Sequence, residues 1–207
     1  MVEEFALYVA IGFAAQVVDG ALGMAYGVTA SSLLLGAGVP PAVSSATVHA
    51  AECFTTGVSA ASHRAFGNID REQFRKLLLP AMLGAATGAY LLAKLPGDAL
   101  KPWIAGYLLL MGVVILSKAF RECPSRRVTR RLAPLGFVGA LVDAVGGGGW
   151  GPIVASNLLA RGNGFRMTVG TVNAVEFFVT LTASVVFLVT LGLANWQVVA
   201  GLALGGV

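Results

Sequence analysis

Two glutamates stand in otherwise apolar stretches, Glu52 in VHAAECFTT and Glu176 in VNAVEFFVT, and similar residues surround both. A carboxylate inside an apolar helix costs several kcal/mol, and such groups within membranes mark ion or substrate paths by default. Glu52 and Glu176 are therefore candidates for coupling by proton exchange, with a structural hydrogen bond to a neighbouring helix as the alternative. Three residues before each lies a polar partner on the same helix face, His49 in one copy and Asn173 in the other. Thr47 and Thr171, with Thr56 and Thr180 further along, extend a polar lining that a small substrate could touch. Each Thr taken alone bonds back to its own helix more readily. Asp19 and Asp143 open two glycine-rich runs, where an Asp accepts hydrogen bonds from free amides and caps a half-helix. A coupling role for these two is the second reading, because a carboxylate beside an anion repels it unless protonated.

The runs themselves, VVDGALGMAYG and LVDAVGGGGWGP, are the strongest candidates for substrate contact. Glycine lets backbone amides approach a ligand, and the start of the following half-helix adds a positive dipole end. Gly20, Gly23 and Gly27 in one run, and Gly146, Gly147, Gly148, Gly149 and Gly151 in the other, could bind a small anion without Lys or Arg in the core. The plainer alternative is close helix packing, which small residues serve in membranes. Tyr26 and Trp150 flank the glycines at matching positions and could close a cavity. His63, beside Arg64, reads as an interfacial residue. No nucleophile elbow, phosphate loop or metal-ligand spacing is present, so no catalytic residue, metal or cofactor is expected. Cys53 and Cys123 form no disulfide or metal pattern.

These residues need an unusual scaffold. The chain is 57% hydrophobic and 12% charged, against roughly a quarter charged for a soluble domain, so a soluble fold could not hide its apolar surface. Leu77 to Leu95 and Trp103 to Phe120 approach the ~20 residues that cross a bilayer, and Met167 to Leu191 exceeds them. A net charge of +4 resides in loops between such stretches, which fits cytoplasmic loops and argues against nucleic acid as a partner. Glu3 and Glu4 precede the first apolar run, where a cleavable leader would be positive, so that span is expected to remain.

An offset of 124 positions, the distance from Asp19 to Asp143, aligns the two glycine runs without a gap and then aligns His49 with Asn173 and Glu52 with Glu176. Matching polar residues in matching slots indicate an internal duplication. Each unit opens with a short apolar stretch, Phe5 to Val18 or Leu132 to Val142, then a break, then a second short stretch to Leu35 or Leu159. The expected fold is an all-α polytopic membrane protein with discontinuous, re-entrant helices. Its organisation reads as a first unit over 1–120, a basic cytoplasmic loop over 121–131 and a second unit over 132–207. Three crossings between the broken pairs would insert the second unit with opposite orientation, giving an inverted repeat of the kind that secondary transporters use. At the same offset the copies of the spans within 80–119 would begin near position 204, so roughly two further helices are expected after the last residue.

The two Asp-containing runs, together with VHAAECFTTGVSAASHRAFGNID and VNAVEFFVT, resemble the sulfite exporter TauE/SafE family of permeases, also called TSUP, over nearly the whole chain. The resemblance implies movement of a small sulfur-containing or organic anion, such as sulfite or a sulfonate. The expected function is a secondary transporter of the cell membrane working by alternating access, with proton coupling through the glutamates. A passive anion channel and a non-transporting membrane subunit are the alternatives. The expected partners are a small anionic substrate and the lipid bilayer, and a homo-oligomer is compatible with both.

Overall fold

The computed structural model describes residues 2–23, 25–119, 131–192 and 196–207. All regular structure among them is helical, as the apolar pattern predicts. Arg121, Cys123, Arg126, Arg127 and Arg130 of the basic loop lie outside the described residues, as do positions 193–195.

The first unit comprises α1 (Val2–Leu22), α2 (Tyr26–Gly36), α3 (Pro41–Ala65), α4 (Arg71–Lys94) and α5 (Gly97–Ala119). The second comprises α6 (Leu132–Gly146), a π-helical turn (Gly151–Ala155) that continues into α7 (Ser156–Ala160), α8 (Phe165–Leu191) and α9 (Trp196–Gly206). Both expected breaks are present, between α1 and α2 and between α6 and the π turn. The first is shorter than the sequence predicts, because α1 continues through Asp19 for almost another turn before Gly23 takes a positive φ. Asp19 does not stop its own helix, since its carboxylate is turned towards amides beyond the break.

Local signals set the other boundaries. Pro41 opens α3 at a position where its missing N–H costs nothing. Asp70 starts α4, its carboxylate accepting from the amides of Glu72 and Gln73 at 3.0 and 3.2 Å. Gln73 then donates to Asn163 at 2.8 Å and Asn163 to the Leu158 carbonyl at 2.9 Å, tying the start of α4 to the end of α7.

Among the described residues, four segments are long and apolar enough to cross a membrane: Phe5–Leu22, Arg71–Lys94, Ala99–Ser117 and Phe165–Leu191. At ~1.5 Å per residue α3 also has a bilayer's length. Its buried face carries Ser44, Ser45, Thr47, His49, Glu52 and Thr56, so it relies on the helices packed around it, chiefly α8, α9 and α2. The opposite kind of surface lies outside, where Leu79, Leu83, Leu109, Val113, Val185 and Val189 are exposed as lipid-facing residues should be.

The packing follows the duplication. At the sequence offset α1 corresponds to α6 and α4 to α9, and α4 packs on α6 while α9 packs on α1. Each fourth helix thus lies against the first helix of the other unit. The matched glycines Gly12 and Gly136 face main chain of the partner unit, at Leu202 and Leu77 respectively. Backbones approach because small residues let them, the usual means of helix association where lipid tails are as apolar as Leu.

A Cβ on Gly84 would fall on the Phe137 carbonyl, whereas one on Gly106 would meet nothing within 4 Å. Gly84→Val should therefore destabilise the protein by about 1–3 kcal/mol through overpacking. In detergent this reads as a Tm lower by roughly 2–4 °C per kcal/mol. Gly106→Ala should leave Tm unchanged or raise it, and equal losses in both would refute the α4–α6 seam.

Candidate functional site

A helix interrupted inside hydrocarbon exposes amides and carbonyls that lipid cannot satisfy. Both breaks solve this in the same way. Asp19 accepts from the amides of Ala25 and Tyr26 at 2.6 and 3.1 Å, and Asp143 accepts from the amide of Trp150 at 2.9 Å. Tyr26 and Trp150 are matched positions, so one carboxylate spans each break and starts the next helical segment.

The second break demands more, because Gly147, Gly148 and Gly149 all have positive φ (74°, 148° and 139°). Side chains rarely adopt this backbone, which accounts for the glycine run. Its carbonyls are met by hydroxyls from three other helices. Ser45 of α3 donates to the Ala144 carbonyl at 2.7 Å and Tyr107 of α5 to Gly148 at 2.9 Å, while Ser31 of α2 donates to Gly147.

The two breaks touch. A Cβ placed on Gly27 would lie 2.9 Å from Gly148 Cα and 2.6 Å from Glu52 Oε1. Beside this contact is a cavity of about 60 Å³. At the ~10–15 Å³ that one water occupies on this scale, it has room for a few small molecules or one compact ion. Gly27 and Val28 of the first break, Gly149, Gly151 and Pro152 of the second, and the polar side chains of Asp19, Glu52, Asn173 and Glu176 line it. Gln16, Thr55, Thr56 and Ser59 complete the polar wall.

The chemistry of the wall is mixed. Gly27 and Val28 stand in the first turn of α2, where amides have no acceptor within the helix, and this end of the helix carries partial positive charge. Among the described residues no Lys, Arg or His lines the cavity. Two acceptor atoms, Glu52 Oε2 and Gln16 Oε1, are buried without a partner. Donors from backbone thus face carboxyl groups with no side-chain cation between them.

The expected residues separate into groups. Gly27, Tyr26, Gly149, Gly151, Asn173, Glu52, Glu176 and Asp19 reach the cavity. Gly146 packs against the Tyr107 ring, Gly147 and Gly148 against α2, and Gly23 beside Phe165, while Gly20 meets nothing within 4 Å. Trp150 is fully buried, donating from its indole to the Val172 carbonyl at 3.1 Å. Thr47 bonds back to the Val43 carbonyl and Thr180 to Phe177, and Thr171 accepts from the Asp70 amide at 2.8 Å.

His49 and Asn173 occupy matched slots with different surroundings. Asn173 faces the cavity and donates to Ser59 at 2.9 Å. His49, wholly buried, has Nε2 3.2 Å from Asp143 Oδ2 and Nδ1 2.8 Å from the Ser45 carbonyl. Both partners are acceptors, so imidazole and carboxyl together hold two protons, as an imidazolium–carboxylate pair or with one proton on Asp143. In either form the pair is neutral overall and offers the cavity no free cation.

Gln16, Ser31, Ser45, Ser59 and Tyr107 are site residues that sequence reasoning did not identify. The first four correspond to Ala140, Ala155, Val169 and Ala183 in the other copy, so the duplication does not mark them. For Gln16 a signal existed, since it is an amide within an apolar run.

The sulfite exporter TauE/SafE family model matches residues 8–207. The chain is also 42% identical over 217 positions to the probable membrane transporter protein YtnM of Bacillus subtilis (strain 168), an alignment covering 99% of this chain and 72% of that protein. No solved structure matches.

Removing either cap should cost about 0.5–2 kcal/mol. Asp143→Ala additionally strands a buried imidazole, worth a further ~1–3 kcal/mol. Thermal unfolding in detergent should therefore rank Asp143→Ala below Asp19→Ala in Tm, and the reverse order would contradict the His49–Asp143 pairing.

Proposed function

This chain belongs to the sulfite exporter TauE/SafE family of membrane transporters, and we propose that it is a secondary transporter for a small anion such as sulfite, a sulfonate or a short carboxylate. The observation that carries the reading is the pair of half-helix starts, at Gly27 and Gly151, opening on one small cavity between the breaks. A compact oxyanion suits it. Backbone amides and aligned peptide dipoles supply several donors and a positive field without a fixed side-chain charge. A bulky or extended molecule exceeds the space.

Alternating access is the mode of movement we assign, and the same layout supports it. Three helices, α3, α4 and α5, separate the two broken pairs, which favours opposite insertion of the units around a central site. The basic loops would then face the cytoplasm in a cell membrane. Glu52 and Glu176, matched in the duplication and both at the cavity, are the groups we assign to proton coupling, because two ionised carboxylates sharing one small cavity without a cation repel each other. An anion added to such a pair is tolerated when protons accompany it.

Purified protein in proteoliposomes should accumulate labelled sulfite, thiosulfate, methanesulfonate or acetate under an imposed proton gradient. Equilibration without accumulation would identify a channel, and no flux of any of the four would identify a non-transporting subunit. Gly27→Ala should lower flux at least ~10-fold while the protein remains folded, since its Cβ would occupy the gap between Glu52 and Gly148, and displacing packed atoms costs over ~1.4 kcal/mol.

A further inference from the structure

Resting on the transport reading above, we propose that the Glu52 carboxylate is itself the resident anion of the cavity. It occupies the start of α2 while no cargo is bound. A cargo anion takes that place when Glu52 accepts a proton and withdraws.

The placement of the carboxyl carries the inference. Glu52 is 3% exposed, and a Cβ at position 27, the second residue of α2, would lie 2.6 Å from its Oε1 and 2.9 Å from Gly148 Cα. Any side chain at position 27 would exclude either Glu52 or the neighbouring loop at Gly148. The gap left by Gly27 is thus filled by a tethered anion at a helix start, which is where a free oxyanion binds for the same physical reasons. Its other oxygen, Oε2, is buried and has no partner, so the carboxyl is held by position rather than by a completed hydrogen-bond set. Such a group is able to leave.

Competition for one place couples two ions. The charged groups around Glu52 are Asp19 from α1, Asp143 from α6 and Glu176 from α8, with Tyr26 from α2 and, on its own helix, Cys53 and His49. His49 is committed to Asp143, and no side-chain cation faces the cavity among the described residues. Cargo charge added beside an ionised Glu52 has nothing to balance it. One proton from water passes to the Glu52 carboxylate for each singly charged anion that enters, and it returns to water when the anion leaves. No bond other than O–H forms or breaks. Glu176 lines the same cavity as the second coupling group, and the withdrawal from the start of α2 is the part of Glu52, which lies against Gly27.

The test uses the full chain in proteoliposomes, with a pH-sensitive dye inside and the four labelled anions named above. Wild type should take up about one proton per singly charged anion. E52Q keeps the size of the side chain and cannot titrate, so anion counterflow should persist while proton movement falls at least tenfold. Proton-coupled uptake that survives in E52Q would overturn the proposal. A folded E52Q without counterflow would overturn it as well. Should E52Q not fold, wild type decides alone: calorimetric titration with the transported anion in two buffers of different ionisation heat should show one proton taken up on binding, and none would be a refutation. A wild type that carries none of the four anions removes the transport reading itself. A wild type that carries one, with E52Q unchanged, removes only this inference.

Discussion

Everything in this molecule depends on breaking two apolar helices without leaving their backbone groups bare. Hydrocarbon offers no hydrogen bonds, so each amide and carbonyl released at a break must find a partner within the protein. Asp19 and Asp143 meet the amides that follow, and at the second break Ser31, Ser45 and Tyr107 meet the carbonyls. These partners come from α2, α3 and α5, so the break is stable only once those helices surround it. Local backbone chemistry therefore dictates global packing.

The same requirement explains the cavity. Two capped breaks placed in contact bring the starts of their following segments to a shared space, while Gly27 and Gly148 let the main chains meet. Helix starts bring partial positive charge, and the polar side chains of α3 and α8 close the walls. A polar site thus forms in the interior of a molecule whose outer helices present Leu and Val to lipid. The long seams between α4 and α6 and between α1 and α9 hold the breaks together, because glycines there let main chains approach.

Much of this was legible in the sequence because it was written twice. Asp19 and Asp143, Gly27 and Gly151, and Glu52 and Glu176 stand out through the repeat, and the carboxylates all have the placement their types suggest: the aspartates at breaks and the glutamates at the cavity. Residues that serve only one copy were invisible by that route, Ser31, Ser45 and Ser59 among them. Helix ends were harder to read. Asp19 has the chemistry of a helix stop, but its carboxylate reaches amides six and seven residues ahead, and α1 runs on past it. Contacts at such a range depend on how the chain folds back, which periodicity does not encode. The threonines had two readings, a shared lining or a bond back to their own helix, and Thr47, Thr56 and Thr180 do bond back while Thr171 accepts from the Asp70 amide.

The pair His49 and Asn173 shows what the duplication has become. In one unit the imidazole neutralises Asp143 and fixes the glycine-rich loop to α3, so that carboxylate is buried with its charge balanced. In the other, a neutral amide holds the matched slot and bonds Ser59, leaving Asp19 to be met by amides alone. A buried ion pair is costly to separate, whereas an Asp held only by backbone donors at a cavity edge can exchange partners as the cavity refills. The break after α6 is therefore tied to other helices by more side-chain partners than the break after α1. On the transport reading, the less tied break is the one beside which Glu52 lies against Gly27. A duplicated protein with two identical breaks would have no such division of labour.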